Sequence, residues 1–146
     1  MEYSIKDITA LLACNDVPFA ALTPSLLLTD SRSIKSPSNT LFFAIKSKTN
    51  DGHKFIEELY KKGVRNFIVE QELPIFSTFK GVNIIKVKNS VKALQKIASA
   101  HRKRFKVPVI GITGSNGKTI VKEWLNQLLQ PNYFITRSPR SYNSQI

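Results

Sequence analysis

The 146-residue sequence predicts an α/β architecture, and three observations carry that expectation. Short apolar runs of strand length alternate with longer segments whose apolar residues recur at helical spacing. A glycine-rich turn, Gly111-Ile112-Thr113-Gly114-Ser115-Asn116-Gly117, follows one such run and opens an amphipathic segment. The turn comes so late that a whole domain precedes it. The chain is therefore expected to hold one complete α/β domain over residues 1–105 and, over 106–146, only the first βαβ portion of a second.

Taken in order, Ser4 suits an N-cap with Asp7 at the capping-box position, and Ile5, Ile8, Leu11 and Leu12 supply the stripe of a short helix. Leu26-Leu27-Leu28 predicts a buried strand delivering Thr29-Asp30-Ser31-Arg32 to a loop. Residues 41–45 predict a second strand, followed by a polar loop from Lys46 to Gly52. Phe55, Ile56, Leu59 and Tyr60 then mark a helix ending at Gly63, placed for a left-handed C-cap. Residues 66–69 and 83–87 predict further strands. A helix from Asn89 or Ser90 to about Arg104, with Val91, Leu94, Ile97 and Ala98 on its apolar face, closes the first domain. The domain boundary is expected at residues 104–107. Pro108 sits early in the next strand, Val107-Pro108-Val109-Ile110, where its missing N–H costs least. Ile120, Val121, Trp124, Leu125, Leu128 and Leu129 form the apolar face of a last helix.

Composition narrows the function classes. Lys and Arg number 22 against 10 acidic residues, a net charge of +12 that would attract nucleic acid, an anionic membrane or small anionic substrates without choosing among them. The densest basic run, His101-Arg102-Lys103-Arg104-Phe105-Lys106, falls at a helix C-terminus, where the helix dipole favours cations, so it reads as a solvated helix end. No basic strand interleaved with aromatics accompanies the charge, and a nucleic-acid partner is not expected. Cys14 is the only cysteine, which excludes an internal disulfide and a Cys-based zinc site and fits a reducing, cytoplasmic setting. No apolar run approaches the ~20 residues needed to span a bilayer, and the N-terminus lacks the pattern of a signal peptide, so no membrane insertion is expected.

The chemistry concentrates in loops. In Thr113-Gly114-Ser115-Asn116-Gly117-Lys118-Thr119 the glycines let the backbone turn and approach an anion, so that N–H groups point at phosphate oxygens ahead of a helix N-terminus. Lys118 would reach the β- and γ-phosphates of ATP, and the Thr119 hydroxyl would ligate Mg²⁺. The pattern is TGxxGKT, with Ile112 where the general GxxxxGK[ST] form has its first glycine. An ordinary strand-to-helix turn would explain the glycines but not the Lys-Thr pair. Asp30-Ser31-Arg32 is open to two readings, a turn with a local ion pair or a polar site at a strand end. Lys48-Thr49-Asn50-Asp51-Gly52-His53 could serve an anionic or nucleobase ligand, although composition alone favours a loop and N-cap with Asp51 or His53 merely solvated.

Asp30-Ser31-Arg32, Leu41-Phe42-Phe43-Ala44, Asp51-Gly52-His53, the 113–119 loop and Val121-Lys122-Glu123, in that order and spacing, resemble the Mur ligases of peptidoglycan synthesis. Within that family the loop, with Lys118-Thr119-Ile120-Val121-Lys122-Glu123-Trp124, is most similar to the branch that adds D-alanyl-D-alanine to UDP-N-acetylmuramoyl-tripeptide. The segment Arg137-Ser138-Pro139-Arg140-Ser141-Tyr142-Asn143-Ser144-Gln145-Ile146 is similar to the form fused to an alanine racemase, in which case pyridoxal phosphate would serve that further domain.

The resemblance implies that residues 1–105 are a UDP-substrate domain, with Ser31, Arg32, Lys48, Thr49 and Asn50 near the uridine diphosphate. It implies that residues 106–146 begin an ATPase domain, with Asn143 near the muramoyl sugar. The activity implied is ATP-dependent amide formation through an acyl phosphate, with Lys118 carrying developing phosphoryl charge. The family's remaining metal and adenine contacts would lie beyond Ile146, so this stretch alone is expected to be inactive. Ser47 stands where many members carry glycine, and Ile120 replaces a second threonine after Lys118-Thr119. Another Mur-type ligase is an alternative. Folylpolyglutamate synthetase shares the phosphate loop but lacks the early Asp-Ser-Arg domain.

Overall fold

The computed structural model describes residues 3–14 and 22–138, and contacts divide the chain into two compact units, Met1–Phe105 and Lys106–Ile146. The first unit is built on a parallel sheet of four strands, β1 (Leu26–Leu28), β2 (Thr40–Phe43), β3 (Asn66–Val69) and β4 (Asn83–Lys86), lying side by side in sequence order. Phe42 pairs with Leu28 on one side and Phe67 on the other, and Phe67 in turn pairs with Ile84. Because all the strands run the same way, the loops that follow them leave a single carboxyl edge.

The period-two alternation of strand side chains divides the core in two. Leu41, Phe43, Ile68 and Ile85 point to the face covered by α1 (Ile5–Leu12) and α3 (Ser90–Lys103), where Ile5, Ile8, Ala93 and Ile97 meet them. Phe42, Ala44, Phe67 and Val69 point to the other face, packing against Ile56 and Leu59 of α2 (Ile56–Lys61) and against Val64. Full burial of each large apolar side chain contributes about 1.5–3 kcal/mol. At the amino ends of the strands the buried Asn83 amide donates to Asn66 Oδ1 at 2.8 Å, and Asn66 donates to the Thr40 carbonyl at 3.3 Å, which satisfies polar groups that would otherwise be costly there.

Local signals behave as expected at α1. Ser4 Oγ accepts from the Asp7 N–H at 3.1 Å while Asp7 Oδ2 accepts from the Ser4 N–H at 2.9 Å, a reciprocal capping box. Gly63 follows α2 at φ 100°, a conformation that L side chains rarely adopt.

Four expectations need correction. Leu26-Leu27-Leu28 forms a strand but not a buried one: among the described residues β1 has a strand on one side only, and Leu26 is 41% exposed. The buried stripe of α3 runs through Ser90, Ala93 and Ile97, and Ala98 is exposed, because the helix is rotated to set Ser90 and Ala93 against the sheet. Residues 107–110 form no strand, and Val107, Val109 and Ile110 are exposed; among the described residues of the second unit there is no strand for them to pair with, and a strand exists only through its neighbours. The expected βαβ portion is therefore represented among the described residues by a loop and one helix, α4 (Lys118–Leu129). Finally, none of the six apolar residues of α4 is buried, so its amphipathic pattern faces no core among the described residues of this unit.

Candidate functional site

The loop after β1 is shaped by its own side chains. Asp30 caps the single 3₁₀ turn of residues 31–33, accepting from the Arg32 N–H at 3.0 Å, and also receives the Arg32 guanidinium through Nε and Nη2, each at 2.9 Å. The Arg32 side chain's hydrogen bond, then its backbone N–H, holds the Asp30 carboxyl down at about 2. Of the two readings of this tripeptide, the turn with a local ion pair is the one the structure contains. The ion pair forms, on the surface, and Ser31 is nearly buried at the turn's start with no hydroxyl partner among the described residues. Arg32 could engage a phosphate only while sharing its fork with Asp30.

The loop after β2 leaves the same edge beside it. Its two ends are tied: the Gly52 N–H donates to the Ile45 carbonyl at 2.8 Å, and Lys46 and Asp51 form an antiparallel bridge. The tip closes on Ser47, whose N–H and hydroxyl both donate to the Asn50 carbonyl, at 2.7 and 3.1 Å, while its Oγ accepts from the Asn50 N–H at 3.0 Å. Ser47 keeps a negative φ, so serine fits a position that does not require glycine. At this tip the exposed side chains of Lys48, Thr49 and Asn50 have no partner among the described residues.

His53, read from composition as solvated, is instead buried, 4% exposed. Asp51 Oδ1 accepts from the His53 N–H at 3.0 Å and lies 2.6 Å from Nδ1, while Nε2 accepts the Glu70 N–H at 3.0 Å. Since Nε2 accepts, the ring proton sits on Nδ1 and is donated to Asp51. Burial pushes the Asp51 carboxyl up, but the His53 backbone and ring hydrogen bonds outweigh it and hold the group below its usual range. Glu70 Oε1 accepts from the Ser90 N–H at 2.7 Å, capping the first turn of α3, and Ser90 Oγ donates to the Ala44 carbonyl at 3.2 Å. The usable sequence signal was Asp51 followed two residues later by His53. The long-range partners Glu70 and Ser90 left no local trace.

In the second unit, Gly114 at φ 144° and Gly117 at φ 76° carry the backbone into conformations closed to most residues. Gly111 has no positive φ, so two glycines rather than three shape the turn. Gly117 is the N-cap of α4 and brings no capping side chain, leaving the helix start to other partners. The Lys118 ammonium folds back onto the carbonyl oxygens of Gly114 and Ser115, the latter at 3.3 Å. That cation over a turn of glycines and a helix N-terminus suits a phosphate chain, and Thr113, Ser115, Asn116 and Thr119 lie exposed around it. Among the described residues no group of three or more His, Cys, Asp or Glu could hold a metal ion. Glu123 is engaged by Arg137 at 2.8 Å and Lys122 at 3.2 Å. Asn143 lies outside the described residues.

What these features define is an α/β protein whose polar loops leave one sheet edge, with a glycine-rich loop opening a helix further along the chain. The model of the Mur ligase family, catalytic domain, matches residues 25–102, and the chain belongs to that family. A UDP-N-acetylmuramoyl-L-alanyl-D-glutamate–2,6-diaminopimelate ligase of Clostridium tetani is 40% identical over 103 residues, covering 69% of this chain and 21% of that protein. A UDP-N-acetylmuramoyl-tripeptide–D-alanyl-D-alanine ligase of Borreliella burgdorferi is 32% identical over 159 residues, covering all of this chain and 34% of that protein. The solved MurF ligase of Thermotoga maritima in complex with ADP superimposes with a TM-score of 0.60 and 33% identity, covering 73% of this chain and 23% of that one. The chain thus spans between a fifth and about a third of the proteins it matches.

Proposed function

We propose that this chain is the amino-terminal part of an ATP-dependent ligase that joins D-alanyl-D-alanine to UDP-N-acetylmuramoyl-tripeptide. The observation that carries the choice of branch is extent. Similarity to the D-alanyl-D-alanine ligase of Borreliella covers the whole chain, phosphate loop included, whereas similarity to the diaminopimelate ligase of Clostridium tetani covers 69%. The ADP complex of the Thermotoga relative supports nucleotide use.

In this reading residues 1–105 hold the UDP end of the substrate. Ser31 and the loop tip Lys48, Thr49 and Asn50 supply donors, the tip being closed by the hydrogen bonds between Ser47 and Asn50, and Arg32 adds charge from the neighbouring loop. Asn143 is assigned to the muramoyl sugar. Residues 106–146 begin the ATP domain, with Thr113 to Lys118 around the phosphates and Thr119 on Mg²⁺. A magnesium ion held by the Thr119 hydroxyl would supply charge neutralisation to the phosphate chain. Lys118 leaves the carbonyls of Gly114 and Ser115 for the phosphate chain and stabilises charge as the γ-phosphoryl passes to the substrate carboxylate, after which the incoming amine displaces phosphate. A cytoplasmic location goes with this reading, and the single Cys14 suits a reducing compartment.

The test is phosphate release from ATP by the enzyme that carries this chain. Release that requires both UDP-N-acetylmuramoyl-tripeptide and D-alanyl-D-alanine supports the reading. Release with the UDP-dipeptide and diaminopimelate instead would move the chain to the other branch.

A further inference from the structure

We propose that His53 is the positioning residue that sets the loop of residues 46–52 for ligand binding; the inference rests on the reading of that loop as part of the UDP site. The loop's root is Ala44 and its return is Asp51 and Gly52, and a circuit of hydrogen bonds joins root and return through the end of β3 and the start of α3. From Asp51 it passes to His53 through Nδ1, from His53 Nε2 to the Glu70 N–H at the end of β3, from Glu70 Oε1 to the Ser90 N–H at the start of α3, and from Ser90 Oγ back to the Ala44 carbonyl.

Only the imidazole spans the step from loop to sheet. It must donate at one nitrogen and accept at the other, and both directions are dictated by its partners: Asp51 is a carboxylate and the Glu70 N–H can only donate. The exposed tip residues Lys48, Thr49 and Asn50 have no tertiary anchor of their own among the described residues, so their position follows from the two ends of the loop. Gly52 fixes one end against Ile45, and His53, the next residue, fixes the direction in which the chain leaves. Removing the Nε2 acceptor would orphan a backbone N–H and free the exit of the loop, and the donors at the tip would lose preorganisation.

Two replacements separate the two halves of the contact. Gln in place of His53 can put its side-chain oxygen near the position of Nε2 and keep an acceptor for the Glu70 N–H, whereas Asn is too short and can serve only Asp51. Binding of UDP-N-acetylmuramoyl-tripeptide is measured calorimetrically at low temperature, with circular dichroism confirming that each variant is folded and Mg-ATP affinity of the same enzyme as an internal control. His53→Gln should bind the UDP compound within about threefold of the unaltered protein, and His53→Asn roughly 10-fold more weakly, the scale of one orphaned buried donor, with Mg-ATP affinity unchanged in both. Folded variants that bind the UDP compound alike would make His53 merely structural and overturn the proposal. If the unaltered protein does not bind it, the substrate reading fails and the inference falls with it. Should either variant fail to fold, nitrogen NMR of His53 in the unaltered protein decides: a proton on Nδ1, with ring shifts that move on adding the UDP compound, is expected. A proton on Nε2, or ring shifts that ignore a bound UDP compound, would overturn it.

Discussion

The Gly52 N–H donates to the Ile45 carbonyl at 2.8 Å, and a Cβ added to Gly52 would stand 2.8 Å from the Ile45 nitrogen and 3.0 Å from Ala44 Cα. Those neighbours are backbone atoms at the end of a central strand, and they have no flexible side chain to move aside. The loop can close on the sheet only because this residue has no side chain.

Gly52→Ala should therefore destabilise the first unit by about 1–3 kcal/mol, the usual range for overpacking. Thermal unfolding followed by circular dichroism would register a midpoint several degrees lower, at roughly 4–8 °C per kcal/mol for a unit of this size. An unchanged midpoint would mean that the loop closes differently.

Exposure along the sheet predicts an asymmetry between two large apolar residues. Phe43→Ala removes a fully buried side chain and should cost about 3–5 kcal/mol, whereas Leu26→Ala, on the edge strand, should lie within about 1 kcal/mol of the parent. Chemical denaturation of the two variants checks the order of the strands as much as the energies.

These contrasts indicate what the sequence made legible. The boundaries of β3, β4 and α1 were visible within a residue or so because apolar runs, capping signals and glycine all acted locally. The edge position of β1 was not, since Leu26 carries the same apolar signal whether one neighbour or two flank it. The strand expected at 107–110 depends on partners that no local pattern can supply. His53 was missed because its acceptor nitrogen is satisfied by Glu70, 17 residues away. The turn that opens α4 was legible for the opposite reason: Gly114, Gly117 and the first helical residue, Lys118, lie within five positions of one another.

Asp30 supplies a pH test. Its folded pKa, about 2, lies below the ordinary 3.8, so the Asp30–Arg32 turn is favoured above pH 4 and that contribution is lost as pH falls through the folded value. A carboxyl-carbon NMR titration should place the Asp30 midpoint near 2, and Arg32→Ala should return it toward 3.8. A midpoint already near 3.8 in the parent would contradict the bidentate pair.

Lys118→Ala should weaken Mg-ATP binding by the enzyme carrying this chain roughly 10- to 100-fold, the scale of a charge-assisted hydrogen bond. Affinity for UDP-N-acetylmuramoyl-tripeptide measured alone should stay near that of the parent. Parallel losses for both ligands would mean that Lys118 supports the structure rather than the phosphates.

The central claim is that the loops at the carboxyl edge form the UDP-substrate site, and amide NMR of the isotopically labelled protein titrated with UDP-N-acetylmuramoyl-tripeptide tests it most directly. Saturable shifts are expected at Ser31, Arg32, Lys48, Thr49 and Asn50, with Asn66 and Asn83 at the opposite edge unmoved. Saturable shifts that spare both loops would contradict it, and so would the absence of any shift in the folded protein.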